Sequence, residues 1–173
     1  FPEVTGVVEL LSEILDLLTN DDSYAGCALP CFCRVAVYPG LQVALDSCGD
    51  HDDRCAECEG QLWGAIQTVT RIPEAGNVGQ CLAYVWTAQL GAVRCAAMPD
   101  DDNQMPSVDA VQAEAAKQAA DADGIFRAVL CCPSRSRRIR EAGIVFESWT
   151  PITPEGSCVG GYWTIGGRFD VCC

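Results

Sequence analysis

The fold is decided by a stretch near the carboxyl end, Trp149-Thr-Pro-Ile-Thr-Pro-Glu-Gly-Ser-Cys158-Val-Gly-Gly-Tyr-Trp163-Thr-Ile. Two β-rich runs flank a connection of proline, glycine and serine, which is typical of a β-hairpin. Apolar and polar residues alternate along the second run. The alternation places on one side of the strand Val159, Trp163, Ile165, Phe169 and Val171. We therefore expect a terminal hairpin of strands 143–153 and 157–171 with one apolar face.

Helical spacing of apolar residues predicts two amphipathic helices. The first covers residues 3–18. The second begins after Ser107, a good N-cap, has Asp109 in its first turn, and ends before Pro133. Its predicted buried stripe is Val108, Val111, Ala115, Ala119, Ala122, Phe126 and Val129.

Further strands are predicted over 32–38, 41–45, 62–72 and 82–96. The strand over 82–96 is apolar on both faces, which is typical of a strand in the middle of a covered sheet. The length of 173 residues suits one domain with its own core. We therefore predict a single α+β domain over 1–173, with one mixed or mainly antiparallel sheet packed by two amphipathic helices.

The chain is acidic, with a formal net charge of −13. Such a surface repels phosphate, so tight binding to DNA or to an anionic membrane is not expected. The charge has two interpretations, simple solubility or a negative lumen through which DNA passes without sticking. No apolar run approaches a membrane span, and no signal peptide is predicted.

Thirteen cysteines are many for a chain of this length. Disulfides that form outside a reducing cytosol are the first interpretation, and Cys48 with Cys58 is the preferred pair because both flank one short polar loop. Zinc is the alternative, with Cys31, Cys33, Cys55 and Cys58 as thiolate ligands. Several cysteines are expected to be small buried hydrophobes.

Candidate chemistry is sparse. His51, the single histidine, lies in the polar run Gly49-Asp-His-Asp-Asp-Arg, where nothing suggests a catalytic dyad. The run Asp100-Asp-Asp-Asn lacks the ligand spacing of a calcium loop. The glycine pairs at 160–161 and 166–167 lie inside a β pattern and predict bulges or close backbone approach. We predict no catalytic residue, no cofactor and, outside the zinc alternative, no metal; the chain is not expected to be an enzyme.

One basic cluster interrupts the acidic chain, formed by Arg135, Arg137, Arg138 and Arg140. A solvated loop is one interpretation. The other is a docking segment for an acidic neighbour, including another copy of this chain.

Three segments, 48–63, 81–99 and 149–164, carry a resemblance to a known family. They include Cys48 with Cys58-Glu-Gly-Gln-Leu-Trp63, the strand end Val93-Arg-Cys95-Ala-Ala-Met-Pro99, and the hairpin stretch quoted above. The chain resembles small neck proteins of tailed phages of actinobacteria, described as tail terminators or head-to-tail connectors.

The resemblance implies a structural virion protein, assembled in the bacterial cytoplasm, that forms a hexameric ring. The ring would cap the tail tube, stop its growth and join it to the head connector, and DNA would pass through without specific binding. Hairpin 143–171 and the loop over 73–80 would suit the contacts. Two alternatives stay open, a head-completion adaptor or stopper of the same neck and a secreted disulfide-rich binding protein.

Overall fold

The structure, a computed structural model, describes residues 2–19, 27–29, 32–38, 40, 43, 60–72, 81–95, 104–155 and 158–172. Within these residues the chain is an α+β domain of three helices and one five-stranded mixed sheet. The elements in chain order are α1 (Pro2–Thr19), β1 (Arg34–Tyr38), β2 (Gln61–Ile72), β3 (Cys81–Cys95), α2 (Val108–Cys131), α3 (Arg137–Glu141), β4 (Val145–Glu155) and β5 (Cys158–Cys172). The predicted fold class is confirmed. The predicted strand over 41–45, except Val43, and the loop over 73–80 lie outside the described residues.

The sheet has the strand order β1-β2-β3-β5-β4. Strand β1 runs parallel to β2, and the remaining neighbours are antiparallel. The central position belongs to β3, which pairs with β5 from Cys81 to Cys95, as its apolar character on both faces predicts. Strand β4 is an outer strand, and Pro151 and Pro154 lack the N–H that edge-to-edge pairing requires.

Helix α1 packs its apolar side on one face of the sheet. Its residues Leu11, Ile14 and Leu18 recur at helical spacing and are fully buried, which confirms the predicted amphipathic helix. Trp86 and Leu90 of β3 belong to the same core. Full burial of each such side chain contributes roughly 1.5–3 kcal/mol to the stability of the fold.

Glycines in the sheet lie beneath tryptophan rings. A Cβ on Gly91 would lie 2.3 Å from the Trp63 ring on the neighbouring strand, and a Cβ on Gly167 would lie 2.8 Å from the Trp86 ring. A Cβ on Gly160 would lie 2.1 Å from the backbone oxygen of Ala92. The prediction that the glycine pairs mark close approach is confirmed, because a side chain at these positions has no room.

The short segment 27–29 is fastened between α1 and α2. A disulfide joins Cys27 to Cys132, the C-cap of α2, and the backbone N–H of Leu29 donates to the carbonyl of Leu18 over 2.9 Å. Leu29 lies against Gly124 of α2, and a Cβ added to Gly124 would lie 2.4 Å from the Cδ2 atom of Leu29. Gly124 therefore weakens the helix by its propensity but makes room for this segment.

An ion pair connects α2 to the sheet. The Arg94 guanidinium of β3 donates to Asp121 through two atoms, Nε at 2.7 Å and a terminal nitrogen at 2.8 Å. The same guanidinium lies over the Phe32 ring, 4.2 Å from its centroid. Both charged side chains are nearly buried, 12% and 7% exposed, so each depends on the other for its solvation.

Helix α2 begins as predicted, with the Ser107 hydroxyl accepting from the Ala110 N–H over 3.2 Å. The predicted buried stripe is largely wrong: Val108, Val111, Ala115, Ala119 and Phe126 are exposed, and of the stripe Ala122 and Val129 are buried. The helical period is real, but periodicity does not say whether a neighbouring element covers the stripe. The buried residues of α2 come from its second half, Asp121, Ala122, Ile125, Ala128 and Val129.

Candidate functional site

The uncovered stripe of α2 forms one wall of an open groove, and the β4–β5 hairpin forms the other. We call it the aromatic groove. Its volume is about 580 Å³. It is lined by Ala115, Gln118, Ala119, Ala122, Asp123, Phe126, Trp149 and Trp163. The lining is mainly apolar, which is the character of a surface that binds another apolar surface.

Trp163 holds the floor of the aromatic groove in place. Its indole N–H donates to the Ala122 carbonyl of α2 over 2.8 Å, which links hairpin and helix. Its ring lies 5.3 Å from that of Phe146 and 5.7 Å from that of Trp149, both edge-to-face. The Phe126 ring lies 5.8 Å away. Aromatic pairs at these separations add about 0.5–1.5 kcal/mol each, so the floor is preorganised.

Beyond the groove, the same stripe continues to the amino end of α2 as exposed apolar side chains. We call Met105, Val108 and Val111 the α2 tip; they are 81%, 71% and 52% exposed. The inward line of this half, Ala110, Glu114 and Gln118, is only half-buried. This inward line carries no large apolar residue. Burial of apolar side chains therefore contributes little to the packing of the first half of α2 on the sheet.

A second recess lies between α1, α3 and the sheet. We call it the α1–α3 cleft, and its volume is about 360 Å³. Its apolar floor is formed by Val7, Leu10, Trp86 and Phe169. Its rim is charged and consists of Glu9, Arg138, Glu141 and Arg168. Gly6 also lines it, and a Cβ at Gly6 would meet no atom within 4 Å.

The basic run is not a loop throughout, because residues 137–141 form α3, capped by the Ser136 hydroxyl that accepts from the Ile139 N–H over 3.2 Å. Arg135 donates to the Cys132 and Val129 carbonyls at the end of α2, over 2.8 and 3.1 Å. This contact satisfies carbonyls that the helix end leaves open and suits the negative end of its dipole.

Arg138 reaches an acidic neighbour inside the same chain. It forms an ion pair with Glu9 and a second with Glu13, the latter over 3.3 Å. The Ser136 hydroxyl also donates to Glu13. These contacts fasten α3 to α1 and build the charged side of the cleft.

The other two arginines of α3 face outward. Arg137 pairs with Glu141 one turn on, over 2.7 Å, and the hydrogen bond and negative charge of Glu141 raise the pKa of Arg137. Arg140 is exposed. Docking of this face on another protein stays a prediction.

The predicted cysteine sites fall largely outside the described residues. Cys48 and Cys58, the preferred pair, lie there, as do Cys31 and Cys55 of the zinc alternative. Cys33 is described, and its sulfur is disulfide-bonded, as is that of Cys158. Within the described ranges no three His, Cys, Asp or Glu side chains are grouped as metal ligands. The Cys48–Cys58 pairing therefore stays a prediction, whereas a disulfide-bonded Cys33 cannot at the same time be a thiolate ligand of the zinc alternative.

The other chemical candidates, His51 and the acidic run over 100–103, also lie outside the described residues. What reasoning from sequence missed is the pair of apolar recesses. A signal for the aromatic groove was present, because Glu114 and Gln118 occupy the positions where a buried helix would carry apolar residues.

No model of a known protein family matches this chain, and no curated protein matches its sequence. Among the helices in the described part of the chain, none combines the length and apolar character needed to span a membrane.

Proposed function

We propose that this protein is a structural subunit of a tailed-phage neck, the tail terminator that caps the tail tube as a ring and joins it to the head connector. One observation carries the proposal. The α2 tip and the aromatic groove form a continuous apolar surface that this chain leaves exposed. Exposed apolar patches of this kind mark protein–protein contacts.

Two further features agree with an assembly role. The preorganised aromatic floor supplies large rigid side chains of the type that dominate interface energies. The sequence resemblance of segments 48–63, 81–99 and 149–164 to phage neck proteins supplies the context for that assembly. The head-completion adaptor or stopper uses the same kind of surface, so particle position separates it from a terminator.

The test is the position and copy number of the chain in assembled particles. Electron microscopy of virions that carry a tagged copy should place the tag at the tip of the tail tube next to the head. Native mass spectrometry of the released neck should give a hexamer. Only monomers in assembled virions would contradict the proposal, and a tag on the head side of the neck would favour the stopper.

The second candidate, a secreted disulfide-rich binding protein, is favoured by the Cys27–Cys132 disulfide and by the bonded sulfurs of Cys33 and Cys158. Disulfides persist in oxidising surroundings, which also include released virions. Fractionation decides between the candidates, because a secreted protein is found in the medium without phage particles.

A further inference from the structure

The α2 tip has the properties of an insert. Val108 and Val111 lie one turn apart on the same side of the helix, with Met105 just before it, and all three are mostly exposed. Asp109 lies beside them and is also exposed. The tip therefore presents apolar side chains together with a negative charge.

The α1–α3 cleft has the properties of a receptor for such an insert. Its floor of Val7, Leu10, Trp86 and Phe169 is apolar, and space remains above Gly6. A binding recess with an apolar floor and a few polar groups at its rim favours an apolar ligand that carries matching charge.

The charges favour contact between these two surfaces over other self-contacts. The segment 135–141 beside the cleft carries four arginines and one glutamate, on a chain whose net charge is −13. Arg137 is already paired with Glu141, and Arg138 with Glu9 and Glu13, so the exposed Arg140 supplies the positive charge that no ion pair among the described residues offsets. Two copies of so acidic a chain repel each other over most surfaces, so the basic face of α3 is where an acidic tip is attracted.

Tip and cleft lie towards opposite ends of one helix axis. Helix α2 has 24 residues, and at 1.5 Å per residue it is about 36 Å long. The tip is at its amino end, and α3 follows its carboxyl end after a short connection. One chain therefore cannot fill its own cleft, and a contact between unlike surfaces repeats from copy to copy and closes into a ring when the rotation permits.

We propose that the α2 tip of one copy inserts into the α1–α3 cleft of a second copy, and that this contact is the repeating interface of the oligomer. The inference rests on the proposed ring-forming function and adds the two surfaces that meet. The aromatic groove stays available for the tube or connector.

The first variants block each side separately. Gly6→Trp fills the cleft, and Gly6→Ala is its control, because a single methyl group leaves the cleft open. Val108→Asp with Val111→Asp removes the apolar tip at exposed positions where folding does not depend on it. Ala113→Asp with Ala120→Asp, at exposed positions on the other side of the same helix, is the matched control for the two added charges.

The measurement is sedimentation velocity over a range of concentrations, with circular dichroism to check folding. The wild-type chain and both controls should self-associate, and each blocked variant alone should be monomeric. A mixture of the two blocked variants should form a one-to-one dimer, since one keeps its tip and the other keeps its cleft. If Gly6→Trp does not fold, the variant Val108→Asp with Val111→Asp tests the interface by itself.

Self-association of the tip variant at wild-type strength overturns the interface, as does a mixture of folded blocked variants without dimer. A wild-type chain that stays monomeric up to its solubility limit overturns it as well. The proposed neck function fails on a different result, the absence of a ring in assembled virions. The two failures are therefore distinguishable.

Discussion

Replacing Asp121 by asparagine should destabilise the protein far more than the same change at Asp123, two residues along α2. Asp121 accepts two hydrogen bonds from Arg94, at 2.7 and 2.8 Å, and the pair is 12% and 7% exposed. Asparagine has one acceptor oxygen, so it loses one of these bonds and turns an amide N–H₂ towards the guanidinium. It also removes the negative charge that Asp121 places against the nearly buried guanidinium of Arg94.

Breaking a buried ion pair from one side costs about 3–5 kcal/mol, and we expect about 3 kcal/mol because asparagine keeps one hydrogen bond. Asp123 pairs with Arg127 over 2.8 Å, but that pair is 71% and 55% exposed on the helix surface. A surface pair at this spacing contributes about 0.3–0.5 kcal/mol. The two substitutions are chemically identical, so the difference isolates burial.

Urea unfolding followed by tryptophan fluorescence measures both variants. With a slope of about 2 kcal/mol per molar urea, Asp121→Asn should lower the midpoint by about 1.5 M, and Asp123→Asn by about 0.2 M. Equal shifts for the two variants would refute the argument that the Arg94–Asp121 pair is desolvated. Replacing Arg94 and Asp121 together by leucine should recover much of the loss, because neither charge of this pair is then left without the other.

The disulfide between Cys27 and Cys132 spans a separation of 105 residues, so Cys27→Ala should lower the free energy of unfolding by about 2–4 kcal/mol. Cys131→Ala removes an exposed free thiol and should leave the free energy of unfolding unchanged. Equal effects of the two substitutions would contradict the disulfide at Cys27. Gly6→Ala in helix α1 should stabilise the protein by about 0.5–1 kcal/mol. Gly91→Ala should destabilise the protein, since its Cβ would lie 2.3 Å from the Trp63 indole ring. Thermal melts of the two variants should therefore shift in opposite directions. Duplex DNA should show no measurable binding by fluorescence anisotropy at about 0.15 M salt, and tight binding that disappears when the arginines over 135–140 are replaced would show that this prediction is wrong.

Reasoning from sequence recovered what depends on local order along the chain. The 3.6-residue period in α1, the N-cap at Ser107 and the hairpin of β4 and β5 are written in neighbouring residues, whose backbone preferences and side-chain periods act over a few positions. The central place of β3 also followed from its own composition, because a strand apolar on both faces needs cover on both.

The candidate site could not be predicted in the same way. The stripe on α2 was found, but whether it is buried depends on how far the hairpin tryptophans, Trp149 and Trp163, extend across it. A helical period records which residues share a side of the helix and carries no information on what lies opposite. The exposed tip and the aromatic groove therefore appear only once α2 is placed on the sheet, and the cleft only once α1 and α3 are.

Local sequence patterns were enough to predict the class of the domain, the elements at its two ends, the N-cap of α2 and the close approach at the sheet glycines. The partners of distant groups follow from the packing of the folded chain: Cys27 with Cys132, Arg94 with Asp121, and Arg138 with Glu9 and Glu13. The physical reason is that a thiol or a charge can pair with any suitable group that comes near it. Which group that is depends on packing between elements far apart in the chain, and with thirteen cysteines and 24 acidic residues the sequence leaves many pairings equally allowed.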